Sequence, residues 1–202
     1  WMKPTIELLA SIPTVVLGYF GLMLFAPWLV RWLGEALHMN SGRSMLTAAL
    51  VLALLILPTI ITVAEDAIRS VPRALREGAE ALGLTSAEGI RMVLLPAAKA
   101  GVIAAVLLGT ARAVGETMIV WILSGGTARM LAFDNLRNAL NNAVQPTRGV
   151  PDTIAIEMGN VEFDGSHYGH LFLIGLVLFL LTLVVNLIGF AYGRRAMWRT
   201  LH

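Results

Sequence analysis

The chain has 202 residues, of which 57% are hydrophobic and only 14% are charged, whereas about a quarter of an ordinary soluble chain is charged. So little polar surface argues against a soluble enzyme, because it could not cover a compact particle of this size. The 15 Lys plus Arg and 13 Asp plus Glu leave a formal net charge of +2, which predicts no nucleic-acid-binding surface. The chain has no cysteine, which removes disulfides, thiolate metal sites and a cysteine nucleophile. A metal site at His167 and His170 is not predicted either, since no third ligand lies near them in the sequence.

Four apolar stretches are long enough to cross a membrane as helices, which takes about 20 residues. They cover residues 8–30, 45–64, 100–123 and 171–192. The third contains Arg112 and Glu116, and ionised residues inside a span indicate a functional site. The sequence therefore predicts an all-α, polytopic transmembrane helix bundle. Because Trp1 is not an initiator residue, we also expect further sequence upstream.

The distribution of Lys and Arg among the connections predicts the orientation of the chain, because cytoplasmic loops carry an excess of cations. The richer side, predicted to be cytoplasmic, contains residues 65–99 and the C-terminal tail. Residues 31–44 and 124–170 are predicted to lie outside. The cations on the inner side are Lys3, Arg69, Arg73, Arg76, Arg91, Lys99, Arg194, Arg195 and Arg199. Those on the outer side are Arg31, Arg43, Arg129, Arg137 and Arg148.

Residues 65–99 have the pattern of two short helices rather than of a passive connection. Ser70 is a candidate N-cap for the first helix, and Gly83 is expected to end it. Thr85 and Glu88, three residues apart, have the form of a capping box that begins a second helix. This second helix is predicted to run to Pro96.

The same loop carries a motif with fixed spacing. Glu77-Gly78-Ala79 is followed by Gly83 after three residues, by Val93 after nine more, and by Leu95-Pro96 after one more. This motif resembles the EAA signature of the membrane subunits of ABC importers, with Gly78 in place of the usual alanine and Val93 in place of the usual isoleucine. The resemblance implies that the first helix, which also holds Arg76, is a coupling helix that docks in a groove of a separate ATP-hydrolysing subunit. The alternative is a generic amphipathic hairpin on the membrane surface.

The chain lacks a nucleotide site of its own in its sequence. A P-loop requires a lysine directly after a glycine, and the lysines of this chain, Lys3 and Lys99, follow methionine and alanine. A transporter with a coupling loop but no P-loop must use the ATP hydrolysis of a partner.

Arg112 and Glu116 are four residues apart, so on one continuous helix they would lie on the same face and could form an ion pair. An unpaired arginine at membrane depth costs at least about 2.5 kcal/mol, which such a pair would offset. The fork of donors on an arginine suits a tetrahedral oxyanion. The alternative is a purely structural ion pair that fixes helix register. Small residues that would let another helix pack closely recur beside this pair at Gly101, Ala105, Gly109 and Ala113.

Residues 111–118, ARAVGETM, resemble the motif that follows the EAA loop in permease subunits of phosphate-specific ABC importers. Residues 4–14, 57–76 and 152–159, the last leading into the final span, also agree. The last two of these stretches are more similar to the C type of the two paired permeases, PstC. Together the matching stretches cover most of the chain.

The resemblance implies a type I ABC importer permease without its own cofactor, forming half of a phosphate path in a bacterial inner membrane, with its C-terminus in the cytoplasm. Arg112, Glu116 and Thr117 are the matched positions for the substrate path. The implied partners are a dimer of ATP-binding subunits that hold ATP and magnesium, a second permease of the A type, an extracytoplasmic phosphate-binding protein docking on residues 124–170, and membrane lipid. Such permeases usually have six spans, so the first two are expected to be missing here.

Three other functions remain open from the sequence. The first is a permease for another oxyanion, such as molybdate or sulfate, in the same fold. The second is a secondary transporter in which Arg112 and Glu116 form a proton relay, although this leaves the EAA spacing unexplained. The third is a membrane-embedded hydrolase, which is disfavoured because the spans contain no Ser-His pair, paired aspartates or zinc motif.

Overall fold

The structure is a computed structural model that describes residues 11–39, 41–163 and 165–199. For Leu136 and residues 192–199 it describes the backbone alone. The predicted start of the first span at residue 8, most of the matching stretch 4–14 and the last three residues of the C-terminal tail lie outside the described residues.

Within these ranges the chain is helical and forms no β-strand, apart from an isolated bridge between Gly125 and Thr147. Short turns or irregular segments connect the helices. In chain order the helices are α1 (Thr14–Leu37), α2 (Met45–Arg69), α3 (Arg73–Ala81), α4 (Ser86–Val114), α5 (Met118–Ser124), α6 (Leu136–Val144), α7 (Val150–Glu157) and α8 (Ser166–Arg199).

Four of these helices, α1, α2, α4 and α8, are long and apolar enough to cross a membrane. The predicted all-α class with four spans is therefore confirmed. The predicted ends differ, because α1 continues to Leu37 instead of residue 30, and α4 ends at Val114 instead of residue 123. Hydropathy locates the apolar part of a helix, whereas backbone hydrogen bonds and capping determine where the helix itself stops.

Two of the long helices contain a wide π-helical turn shortly before a proline. In α1 the turn covers Gly21–Phe25 and precedes Pro27, and in α4 it covers Ile90–Leu94 and precedes Pro96. Proline lacks an amide and its ring clashes with the carbonyl four residues earlier, so a local widening lets the helix continue. The second loop helix thus does not stop at Pro96 as predicted, but continues directly into the third span.

The chain divides into two compact units. The first comprises Trp1–Leu55 and Ala113–Leu180. Its core is formed by one face of α2 and by α5, with α1 packed against them through small residues. A Cβ built on Gly21 would lie 3.1 Å from both Leu123 and Val51. The buried core residues are Ala48, Val51, Leu55, Ile119 and Leu123.

The second unit comprises Ile56–Arg112 and Leu181–His202. It contains the C-terminal half of α2, the loop helix α3 and nearly all of α4. Its buried cluster consists of Val71, Leu94 and Ala98, with Ile68 packed against it. This cluster joins the end of α2 and the α2–α3 turn to the early part of α4.

Candidate functional site

Close packing of α2 against α4 sets the geometry of the second unit. A Cβ built on Gly101 would lie 2.5 Å from the Cβ of Ala67, and one built on Gly109 would overlap the side chain of Ile60. Side chains larger than hydrogen at these two positions would push the helices apart. The predicted close approach of another helix along these small residues is confirmed at both glycines, and the partner helix is α2.

This packing brings Arg112, near the end of α4, beside Thr59 of α2. The Nη1 group of Arg112 donates a hydrogen bond to the Thr59 hydroxyl oxygen at 3.2 Å. Thr59 is half-buried and follows the buried Pro58, whereas Arg112 is exposed. A guanidinium has five N–H donors, so this contact orients the group and leaves four donors for other partners.

Glu116 does not share a helix with Arg112, because α4 ends at Val114. The expectation that the two side chains lie on one helix face is therefore wrong. The Oε1 atom of Glu116 instead accepts hydrogen bonds from the amides of Met118 at 3.2 Å and Ile119 at 3.4 Å. These amides open α5, and a carboxylate satisfies such unpaired N–H groups well.

Thr117 is the N-cap residue of α5, and its side chain makes no capping hydrogen bond. Its carbonyl accepts the first bond of the helix, from the amide of Trp121 at 2.8 Å. The hydroxyl of this half-buried residue is therefore not committed to the helix end. The three sequence-predicted path residues thus differ in local role: Arg112 is in the last turn of α4, Glu116 is in the break that follows, and Thr117 is the N-cap of α5.

The predicted coupling residues that belong to α3 lie on two faces of this helix. Ala79 is buried, at 5% exposure, against Gly89 of α4. Arg76, Glu77 and Gly78 are exposed, and a Cβ built on Gly78 would meet no atom within 4 Å. The alanine of the motif thus joins the two loop helices, whereas the glutamate and glycine face outwards.

Local signals place the turn between α3 and α4 as predicted. Gly83 has a positive φ of 76° and donates its amide to the carbonyl of Glu80 at 2.9 Å, which closes α3. Thr85 and Glu88 form the predicted capping box, with each side chain accepting from the other's backbone amide. Both predictions are confirmed, because they depend only on residues close in sequence.

The predicted capping role of Ser70 is wrong. Its hydroxyl donates to the carbonyl of Ala67 at 2.8 Å, within the last turn of α2. The N-cap position of α3 is taken by Pro72 instead, without a side-chain hydrogen bond. Ser70 therefore closes the preceding helix instead of opening the next one.

The loop helices enclose a groove of about 370 Å³. Arg76 and Glu80 line it from α3, and Ser86 and Ile90 line it from the start of α4. The remaining motif residues, Leu95 and Pro96, follow the π turn of α4 and are exposed. Arg76 and Ala79 are therefore the predicted coupling residues that line this groove, and the others lie outside its lining.

Sequence reasoning missed a buried polar group in the first unit. Asp152 is fully buried, and its Oδ2 atom accepts from the Ser124 hydroxyl at 2.8 Å and from the Gly149 amide at 3.1 Å. These bonds tie the start of α7 to the end of α5. The sequence did hold one signal for this role: Asp152 follows Gly149 by three residues, the spacing at which an acidic side chain can accept from the amide at the start of a helix.

Thr59 was also missed as a partner of Arg112. The two residues are 53 positions apart, so no local pattern connects them. The only clue was that a polar residue follows a proline inside an apolar span.

The chain matches the family model described as binding-protein-dependent transport system inner membrane component, over residues 1–197. This match includes every candidate site residue discussed above. The chain belongs to this family. Together with the four long apolar helices, membership shows a multi-pass inner-membrane protein of the all-α type predicted.

Several curated proteins are similar to this chain. The probable ABC transporter permease protein YqgH of Bacillus subtilis is 36% identical over 96% of this chain and 59% of its own length. The phosphate transport system permease protein PstC 1 of Mycobacterium tuberculosis is 33% identical over 94% of this chain and 59% of its own length. PstC of Haemophilus influenzae is 32% identical over 92% of this chain and 61% of its own length. The chain thus spans about three-fifths of these relatives, and no solved structure matches it significantly.

Proposed function

We propose that this chain forms part of the C-type permease subunit of an ATP-driven inorganic phosphate importer. The proposal is supported by the similarity, over more than nine-tenths of the chain, to proteins named phosphate transport system permease protein PstC. The chain would form half of the translocation path, and a second permease of the A type would form the other half.

Arg112 is the residue proposed to contact phosphate in this path. It lies at the end of a long apolar helix, the Thr59 hydroxyl orients it, and four of its donors remain open. Charge-assisted hydrogen bonds from a guanidinium to a phosphate oxyanion are strong and geometrically specific. Glu116 and Thr117, at the following helix joint, are proposed to line the same path.

Coupling to ATP hydrolysis is proposed to act through α3. Glu77 and Gly78 are exposed on this helix, while Ala79 secures it to the start of α4. A dimer of separate ATPase subunits would bind ATP and magnesium and move α3 as it opens and closes. This arrangement makes the chain a transport subunit without a nucleotide site of its own.

The remaining surfaces follow from the proposed orientation. Residues 65–99 and the C-terminus would face the cytoplasm, and residues 124–170 would face outwards. The outer residues would receive phosphate from an extracytoplasmic phosphate-binding protein. The apolar outer faces of the long helices would contact lipid or the second permease.

The test of this function is phosphate uptake by the complete importer, purified with all its subunits and reconstituted into vesicles. Arg112→Ala should lower ATP-driven uptake of radiolabelled phosphate by at least about tenfold, because one charge-assisted hydrogen bond is worth that much. The matched control is Arg31→Ala, which removes an exposed arginine elsewhere and should transport normally. Normal uptake by the Arg112→Ala importer would refute the proposed path.

Competition by unlabelled anions identifies the substrate, and a protonophore identifies the energy source. An excess of unlabelled phosphate should inhibit uptake strongly, and sulfate or molybdate should inhibit weakly. Uptake that sulfate or molybdate inhibits best would instead indicate an importer of that oxyanion. Uptake that a protonophore abolishes, and that persists without the ATPase subunits, would indicate a secondary transporter.

A further inference from the structure

We infer that Thr59 is a second hydrogen-bonding ligand for the transported oxyanion, beside Arg112. This inference rests on the proposed function and adds a residue of α2 to the path. It depends on how the Thr59 hydroxyl is bonded, on how its position is fixed, and on the donors that the pair presents together.

The direction of the hydrogen bond leaves the proton of Thr59 available. Arg112 can only donate, so the Thr59 oxygen is the acceptor of their 3.2 Å contact. The hydroxyl hydrogen of Thr59 must then point to another acceptor. A hydroxyl can donate one bond while it accepts up to two.

The other threonines of α2 and α4 have local partners for their hydroxyls. The Thr47 hydroxyl is hydrogen-bonded to that of Ser44 at 3.0 Å. Thr62 donates to the carbonyl of Pro58, and Thr110 donates to the carbonyl of Val106, both at 2.9 Å. A threonine inside a helix can satisfy its hydroxyl in this way. In the part of the chain that the structure describes, Thr59 makes no such bond, so it is the threonine of this group whose proton is left for a ligand.

Backbone packing holds the pair in place. Ile60, next to Thr59, lies against Gly109, which is three residues before Arg112 on α4. Because glycine allows this close approach, the gap between the two helices is narrow where the guanidinium of Arg112 meets the hydroxyl of Thr59. Threonine is also β-branched, which restricts its χ1 rotation.

The resulting pair presents several donors side by side. Four guanidinium N–H groups and one hydroxyl O–H take no part in their mutual bond. A tetrahedral oxyanion has several acceptor oxygens, so it can accept hydrogen bonds from the guanidinium and from the hydroxyl at the same time. The Thr59 oxygen keeps one further lone pair, which can accept a hydrogen bond from a protonated phosphate oxygen.

Uptake by Thr59 variants tests this role in the complete reconstituted importer. Thr59→Val, which keeps the shape but removes the hydroxyl, should lower phosphate uptake about tenfold, and Thr59→Ser should restore most of it. Thr62→Val is the matched control, because it removes a hydroxyl that is bonded to backbone, and it should transport nearly normally. Unchanged uptake by Thr59→Val would overturn the inference.

A labelling experiment separates a ligand from a residue that only supports Arg112. The chain has no cysteine, so Thr59→Cys introduces its sole thiol, and Thr62→Cys provides the control. Saturating phosphate should slow thiol labelling at position 59 severalfold relative to chloride at equal ionic strength, and it should leave position 62 unaffected. Equal labelling rates with and without phosphate would overturn the role of Thr59 as a ligand.

The outcome for Thr59 can be distinguished from the outcome for the proposed function. Loss of uptake in Arg112→Ala without phosphate protection at position 59 would reject Thr59 but keep the importer. Normal uptake in Arg112→Ala would reject the proposed path itself. Recovery of each variant with its partner subunits and its thermal unfolding midpoint confirm that the importer is assembled and folded.

Discussion

Ile60 of α2 occupies the space in which Gly109 of α4 would carry a Cβ atom. The two positions are therefore coupled, and neither can gain volume unless the other loses it. This contact lies directly beside the pair formed by Thr59 and Arg112. Helix spacing and the position of the arginine are thus set by the same few atoms.

Gly109→Ala should destabilise the protein by about 1–3 kcal/mol, because the added methyl overlaps Ile60. The double variant Gly109→Ala with Ile60→Ala should be less destabilised than the sum of the two single variants, because the truncated side chain makes room. Thermal unfolding of the purified protein in detergent measures this coupling. Strictly additive effects would contradict the close contact.

Gly78→Leu should detach the ATPase subunits without disturbing this chain. A side chain at position 78 meets open space in the chain itself, and leucine favours a helix over glycine. It would, however, protrude from the proposed docking face. Co-purification of the ATPase subunits measures the effect, and Gly169→Leu, also directed into open space, is the control. Full recovery of the ATPase with Gly78→Leu would show that α3 docks elsewhere.

Thr85→Ala should weaken the start of α4 by about 1 kcal/mol, as is typical when a capping side chain is lost. The Thr85 hydroxyl accepts from the amide of Glu88, and the Glu88 carboxylate accepts from the amide of Thr85. Amide hydrogen exchange at residues 86–89 should accelerate in Thr85→Ala and remain near normal in Thr85→Ser. Equal exchange in both variants would argue against the capping box.

Asp152→Ala should cost about 1–3 kcal/mol for each polar partner left without a hydrogen bond. The Ser124 hydroxyl and the Gly149 amide both lose their acceptor in a buried setting. Asp152→Asn should be milder, since its carbonyl oxygen can accept both bonds. Thermal unfolding compares these variants with Asp134→Ala, which truncates an exposed aspartate. If Asp152→Ala and Asp134→Ala unfold alike, the buried bonds contribute nothing.

Orientation in the membrane can be tested with single cysteines. Met130 is 94% exposed and belongs to the proposed outer region, whereas Leu82 is 82% exposed at the end of α3. A thiol reagent that does not cross membranes should label Met130→Cys in intact cells. It should label Leu82→Cys only after the membrane has been opened with detergent. The reverse pattern would invert the proposed topology.

Features that depend on nearby residues could be predicted from the sequence. Four long apolar helices, the glycine end of α3 at Gly83 and the capping box of Thr85 and Glu88 are all present. Each of them follows from hydropathy or from hydrogen bonds that span a few residues. The family could also be anticipated, because its motif has a fixed spacing along the chain.

Features that depend on tertiary packing could not be predicted. The spacing of Arg112 and Glu116 suggested a shared helix face, but a helix break at residues 115–117 separates them. Thr59 reaches Arg112 only because Gly109 admits Ile60. Hydropathy does not show a break inside an apolar stretch, and it contains no information about which helices meet.

The π turn at Ile90–Leu94 has a rotational consequence for the rest of α4. A π turn holds one residue more than a regular α-helical turn. This extra residue rotates the following part of the helix by about 100° around its axis. A helical wheel drawn through α4 with 3.6 residues per turn throughout therefore places every residue beyond the π turn on the wrong face of the helix. Deleting one residue there would do more than shorten the helix: it would carry the Arg112 side chain roughly a quarter-turn away from Thr59.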